Sequence, residues 1–138
     1  MPTYMLDTNI ASFIIRGPSL ALKERLRVVP MAQLCISAVT HGELLYGLAR
    51  KPGATALQQA VRAFLQRVDV LPWDAPAAER YGSLRARLEA QGTPLSGMDT
   101  LIAAHALAAG CVLVSNDQAF GRVAGLGLED WATSPGWA

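Results

Sequence analysis

Four short apolar runs alternate with helical stretches along this chain, and that alternation limits the folds open to it. The runs cover residues 3–6, 34–36, 68–71 and 112–114. The last is hydrophobic without a break, as a parallel strand buried on both faces must be. Between the runs, apolar residues recur at helical spacing. Examples are Ile10, Phe13 and Ile14, then Leu57, Val61, Phe64 and Leu65, then Ala77, Tyr81, Leu84 and Leu88. Ser19, Asp74 and Ser96 suit helix starts, and either Ser37 or Thr40 opens the third helix. Gly17-Pro18, Pro52-Gly53, Gly92 and Gly110 suit helix ends. A short turn or helix is expected at Phe120 and a last edge strand at 126–128. Strands separated by helices imply right-handed crossovers. The expectation is an α/β fold with a mainly parallel sheet covered on both faces. Residues 1–138 read as a single domain without repeats, and 132–138 read as a fraying tail.

Composition narrows the class further. Hydrophobic residues make up 51% and charged residues 17%, the reverse of what a disordered chain needs. No stretch reaches the ~18 apolar residues of a membrane span. The best run, 101–109, contains His105. Asp7 and Asn9 interrupt the first apolar stretch, so no export signal is expected. Cys35 and Cys111 each sit in apolar runs without motif spacing, which suits buried thiols in a reducing compartment. A cytoplasmic protein without a membrane partner is expected.

The acids are placed more tellingly than the average composition suggests. In an open parallel sheet, ligands bind beyond the carboxyl ends of the strands. Asp7 follows the first run and Asp117 follows the fourth. Glu43 and Asp99 are expected in the first turns of the third and sixth helices. Four carboxylates converging at ~5 Å repel by about 3 kcal/mol per pair at an effective dielectric of 20. Oxygen-only ligands select hard cations such as Mg²⁺ or Mn²⁺. His41 and His105 fall on other helix faces, which argues against zinc. Each acid also has a structural role open to it. Asp7 suits a helix start, Thr40-x-x-Glu43 a capping box, Asp99 a helix dipole and Asp117 an Asx turn. Together at one sheet edge, the four read as a site.

The motifs resemble those of a known family. Met5-Leu-Asp7-Thr-Asn9-Ile, Ser37-Ala-Val-Thr-His-Gly-Glu43-Leu-Leu-Tyr46-Gly47, Gly92-Thr-Pro-Leu-Ser-Gly-Met-Asp99 and Val114-Ser-Asn-Asp117 resemble the PIN-domain ribonucleases. The similarity extends to Glu129-Asp130-Trp131 and is greatest to the VapC toxins of VapBC toxin–antitoxin pairs. It implies a three-layer α/β/α fold and a Mg²⁺- or Mn²⁺-dependent endoribonuclease. By resemblance, Asp7, Glu43, Asp99 and Asp117 are the catalytic and metal-binding acids, with Asn9 and Ser115 bracing them. Ala119 stands where many relatives carry a further acid. The resemblance also implies a homodimer held inactive by a VapB-type antitoxin, with DNA reached only through that antitoxin. The enteric-type pattern implies tRNA as the RNA substrate, cut in the anticodon loop of the initiator. The rival reading is a catalytically weak PIN domain, a regulatory binding module for its antitoxin.

Other folds with acids at strand ends fit less well. A phosphorelay receiver wants an acidic pair after the first strand, and here Thr8 follows Asp7. A haloacid-dehalogenase-like phosphatase wants Asp-x-Asp, and position 9 is Asn. No glycine motif for a dinucleotide follows the first strand. Trp73, Trp131 and His105 read as packing residues, Trp137 lies in the tail, and Tyr46 suits either a partner surface or the core. The formal charge of +1 averages unlike parts. Without the four site acids, 12 basic residues face 7 acidic ones, and ten of the 12 are Arg. Near-neutrality therefore leaves room for RNA binding of modest affinity and clear salt dependence.

Overall fold

A computed structural model of the chain describes residues 3–132. Five strands form one sheet: β1 (Tyr4–Leu6), β2 (Leu34–Ser37), β3 (Asp69–Leu71), β4 (Val112–Val114) and β5 (Leu128–Glu129). All neighbours pair in parallel, in the order β3-β2-β1-β4-β5. Six helices connect them: α1 (Thr8–Arg16), α2 (Leu20–Val28), α3 (Ala38–Ala49), α4 (Thr55–Leu65), α5 (Ala75–Ala90) and α6 (Gly97–Ala109). The fold is thus α/β with a fully parallel sheet. Trp137 and the tail beyond Ala132 lie outside the described residues.

The unbroken apolar runs are explained by two cores, one on each sheet face. Met5, Cys35 and Leu113 share register and point to one face, where Leu84, Leu88 and Ile102 of α5 and α6 cover them. The next residue along each strand, Leu6, Ile36 and Val114, points to the other face. There Ile10, Leu44, Val61 and Phe64 of α1, α3 and α4 cover it. In β1 and β4 the period of two therefore leaves no exposed position and no polar residue interrupts the strand, whereas the edge strand β3 carries the exposed Asp69. Trp131 is buried in the second core against Tyr4, with ring centroids 5.0 Å apart. The Trp73 indole N–H donates to the Leu101 carbonyl at 3.0 Å. Both tryptophans are packing residues. Cys35 and Cys111 are free, buried thiols with Sγ atoms 3.9 Å apart. No helix among the described residues is long and apolar enough to cross a membrane.

Capping follows the expected chemistry. Ser19, Asp74 and Ser96 accept backbone N–H groups at the starts of α2, α5 and α6. Gly110 ends α6 at φ 68°, in the left-handed region that glycine enters without steric cost. Of the two caps open to α3, Ser37 takes the role, accepting the Val39 N–H at 3.1 Å. That rules out the Thr40-x-x-Glu43 capping box and moves Glu43 into the second turn. The third strand begins at Asp69, because Val68 turns into the core beside Phe64. The last strand is Leu128–Glu129 rather than 126–128. Gly127 passes so close to Val112 that a Cβ there would meet the valine Cγ2 at 3.3 Å. A short 3-10 helix at Met31–Gln33 carries no periodic signal that would have announced it.

Candidate active site

The strand order reverses direction at β1, so the crevice beyond the carboxyl ends of β1 and β4 is the natural ligand position of this sheet. Asp7 enters that crevice straight from β1. Its backbone N–H donates to the Val114 carbonyl at 3.0 Å, which continues the ladder by one residue. Its Oδ1 accepts the Ile10 N–H at 2.8 Å, so Asp7 also caps α1. The side chain is only 4% exposed. Burial pushes the carboxyl up to about 6, against hydrogen bonds from the Ser115 side chain and the Ile10 N–H. The charges of Asp99 and Asp117 push it further in the same direction.

Asp99 and Asp117 reach the crevice from separate elements. Asp99 lies in the first turn of α6, where its backbone N–H donates to Ser96 Oγ at 3.2 Å. Burial raises its pKa, a hydrogen bond with Ser96 opposes this, and the charge of Asp117 adds to it. Asp117 follows β4 and caps the short 3-10 helix Gln118–Arg122, accepting the Ala119 N–H at 2.9 Å. Its own N–H donates to Ser115 Oγ at 3.0 Å. Ser115 is 2% exposed and so braces both strand-end acids from one buried hydroxyl.

Glu43 stands apart from this trio. It is half-buried on α3, and its Oε1 accepts the Thr8 hydroxyl at 2.6 Å. Thr8 has one hydroxyl hydrogen, so the 3.1 Å contact between Thr8 and Thr40 has Thr40 as donor. Thr40, Thr8 and Glu43 therefore form a directed chain beside Asp7. Glu43 is absent from the charges that press on Asp7. Asn9 is exposed, and among the described residues no hydrogen bond ties its side chain to the acids. His105 is buried elsewhere, its Nδ1 2.7 Å from Ser37 Oγ, and burial lowers its pKa. The sequence reading missed Thr8 and Thr40. It also missed that Glu43, Tyr46, Gly47 and Arg50 line one cavity with Arg16. The i, i+3, i+4, i+7 spacing of the four was the signal.

The donor chemistry fits a hard divalent cation. The groups are oxygen-only, and the ion pairs among the described residues bring no Lys or Arg to Asp7, Asp99 or Asp117. The cluster is open: among the described residues, no three acidic, histidine or cysteine side chains close into a ready metal cage. Mutual repulsion on a buried carboxyl is the state that a cation relieves.

The PIN-domain family model matches residues 4–126. The chain belongs to the PIN-domain family. It is 39% identical over 133 residues to the tRNA(fMet)-specific endonuclease VapC of Shigella flexneri, covering 96% of this chain and 100% of that protein. The DNA-bound VapBC of Salmonella typhimurium has a chain that superposes with a TM-score of 0.88 at 36% identity, covering 95% and 99%. VapBC2 of Rickettsia felis, bound to a promoter DNA fragment, gives 0.87 at 32%, covering 94% and 98%. Within the PIN-domain family the chain therefore groups with VapC proteins. PIN-domain ribonucleases generally depend on a divalent metal.

Proposed function

We propose that this PIN domain, residues 1–138, is the toxin of a VapBC pair and hydrolyses phosphodiester bonds in tRNA, with tRNA(fMet) the first candidate. The single observation that carries this is the unpaired carboxylate trio at the β1/β4 crevice, in a chain 39% identical to a tRNA(fMet)-specific endonuclease. Asp7, Asp99 and Asp117 would hold Mg²⁺, or Mn²⁺ in its place, with Glu43 at the edge of that group. Such an ion acidifies water and offsets the charge that grows on the phosphoryl oxygens.

The protein's own residues supply position and a proton acceptor. Ser115 and the Ile10 N–H fix Asp7, so one ligand is set before anything binds. Ser96 and Ser115 play the same part for Asp99 and Asp117. Glu43 Oε1 is engaged by Thr8, so Oε2 is the atom that takes the proton of the attacking water. No covalent nucleophile is required. Asn9, on the first turn of α1, supports the acids once substrate is present. The partners are a VapB-type antitoxin and a second copy of the chain, with DNA contacted through the antitoxin. The site of action is the cytoplasm.

The test uses full-length protein freed of antitoxin and total tRNA with Mg²⁺ or Mn²⁺. Discrete cleavage is expected, abolished by EDTA and by Asp7→Asn. Activity that survives either would sink the metal mechanism. Ala119, in place of a further acid, and the open cluster favour one rival, the weak PIN domain acting as a binding module. Absence of cleavage with every RNA, alongside intact antitoxin binding, would establish that rival.

A further inference from the structure

Beyond Glu43, the chemistry above leaves a cavity of about 290 Å³ between α1, α3 and α4 without a role. Its floor is apolar, built by Leu44, Leu57 and Val61. Its lining also carries Arg16 and Arg50, both exposed, and Tyr46, 63% exposed. The Arg50 guanidinium lies 5.5 Å from the centroid of the Tyr46 ring. Thr8 and Glu43 form part of the wall, and Thr8 follows Asp7 directly in the chain. The cavity therefore shares Glu43 with the candidate site.

Charge decides what such a cavity suits. Neither arginine joins a salt bridge among the described residues. Two free guanidinium forks beside an exposed aromatic ring match phosphates and an unstacked base. The cavity is at the small end for ligand sites. It has room for a splayed nucleotide and none for a duplex, whose bases stay stacked inside an A-form helix.

We propose that this cavity holds unpaired RNA next to the scissile phosphate, with a base stacked on Tyr46 and neighbouring phosphates held by Arg16 and Arg50. The proposal rests on the ribonuclease reading and deepens it. These side chains select single-stranded loops over helices. They also concentrate positive charge where a chain of net charge +1 needs it.

The experiment is an anisotropy titration with a labelled anticodon stem–loop RNA, run in EDTA so that nothing is cut, against a fully paired duplex of equal length. The stem–loop is expected to bind in preference to the duplex. Tyr46→Ala weakens that binding about tenfold, within the range of one lost base stack, and Tyr46→Phe restores it. Arg16→Ala and Arg50→Ala each weaken it and lower the salt slope by about 0.7, as expected for one phosphate contact on a single strand. In cleavage assays the loss falls on KM rather than on kcat. Equal binding of duplex and stem–loop overturns the proposal, as does unchanged binding by the double arginine variant. So does a loss of antitoxin binding or of dimer mass with RNA binding intact, which would give the cavity to those partners. If the protein cuts no RNA, the titration still decides the proposal. If the variants cut and bind RNA as the wild type does, the cavity assignment fails while the ribonuclease reading stands.

Discussion

Asp7 and Glu43, both assigned to the proposed site, are held in opposite ways. Asp7 is fixed by backbone: it follows a central strand, extends the β1–β4 ladder and caps a helix, all within one residue. Its burial works against its own ionisation. Glu43 is fixed by a side chain: one threonine hydroxyl holds one of its oxygens, and it borders an open, arginine-flanked cavity. The first arrangement suits a ligand that must stay still and wants a positive ion. The second suits a group that must meet substrate and release a proton. Burial and backbone anchoring separate the two roles although the residue types are nearly the same.

The largest expected effect breaks the first arrangement. Asp7→Asn keeps the shape and removes the charge, so cleavage should fall by at least about 10³-fold, the scale of several kcal/mol of lost charge stabilisation. Gel-based single-turnover rates on tRNA check this. A loss of tenfold or less would mean that Asp7 only caps α1.

A second, smaller effect isolates what burial does to Asp7. Its folded pKa is about 6, against roughly 4 in an unfolded chain. Between these values the folded chain holds a proton that the unfolded chain has lost, so stability falls as pH rises. In EDTA, the loss from Asp7 between pH 4 and pH 7 should be on the order of 2 kcal/mol. Urea titrations of wild type and Asp7→Asn across that range measure it as the difference between their slopes. The raised pKa of Asp99 leaves a residual slope of the same sign in the variant. Mg²⁺ at neutral pH should restore stability to the wild type and not to Asp7→Asn. An Asp7 contribution that rises with pH would show that the Ile10 and Ser115 hydrogen bonds outweigh burial.

The same contrast explains what the sequence made legible. Strand-end acids could be read because four apolar runs, spaced by helices, leave few topologies, and Asp7 and Asp117 fall at the ends of two of them. The position of Asp99 was equally clear, because Ser96 was the capping residue available to α6. Glu43 was misplaced by a turn. Ser37 and Thr40 are both good caps three residues apart, and local chemistry does not choose between them. Tertiary contacts chose: Thr40 is fully buried and spends its hydroxyl on Thr8, 32 positions away, while Ser37 faces His105. Such a pairing has no local trace. The cavity was hidden for a different reason. Arg16 ends α1 while Tyr46 and Arg50 lie on and just beyond α3, all at exposed positions where polar residues are the norm.

Glu43→Gln probes the second arrangement alone. If Oε2 takes the proton, cleavage should drop by about 10²-fold, the lower end for general base catalysis. The EDTA stability slope should stay at its wild-type value, because Glu43 is not among the charges that act on Asp7. Rates and urea titrations on the same preparation separate the outcomes. A changed slope would place Glu43 inside the acid trio and erase the contrast between the two acids.

Thr8→Val gives the smallest effect and the finest division. Valine fills nearly the same volume but donates no hydrogen bond, so Glu43 Oε1 and Thr40 Oγ lose their shared partner. Orienting groups of this kind contribute about 10- to 100-fold, and the half-buried setting of Glu43 points to the lower figure. The loss should fall on kcat. Thr8→Ser keeps the hydroxyl and should recover most of it, which a packing role for Thr8 would not produce. If Thr8→Ser fails to recover the loss, Thr8 acts on the position of α1 rather than on Glu43. The acid would then be held by the packing of α3 against α1, as firmly as Asp7 is held by its strand.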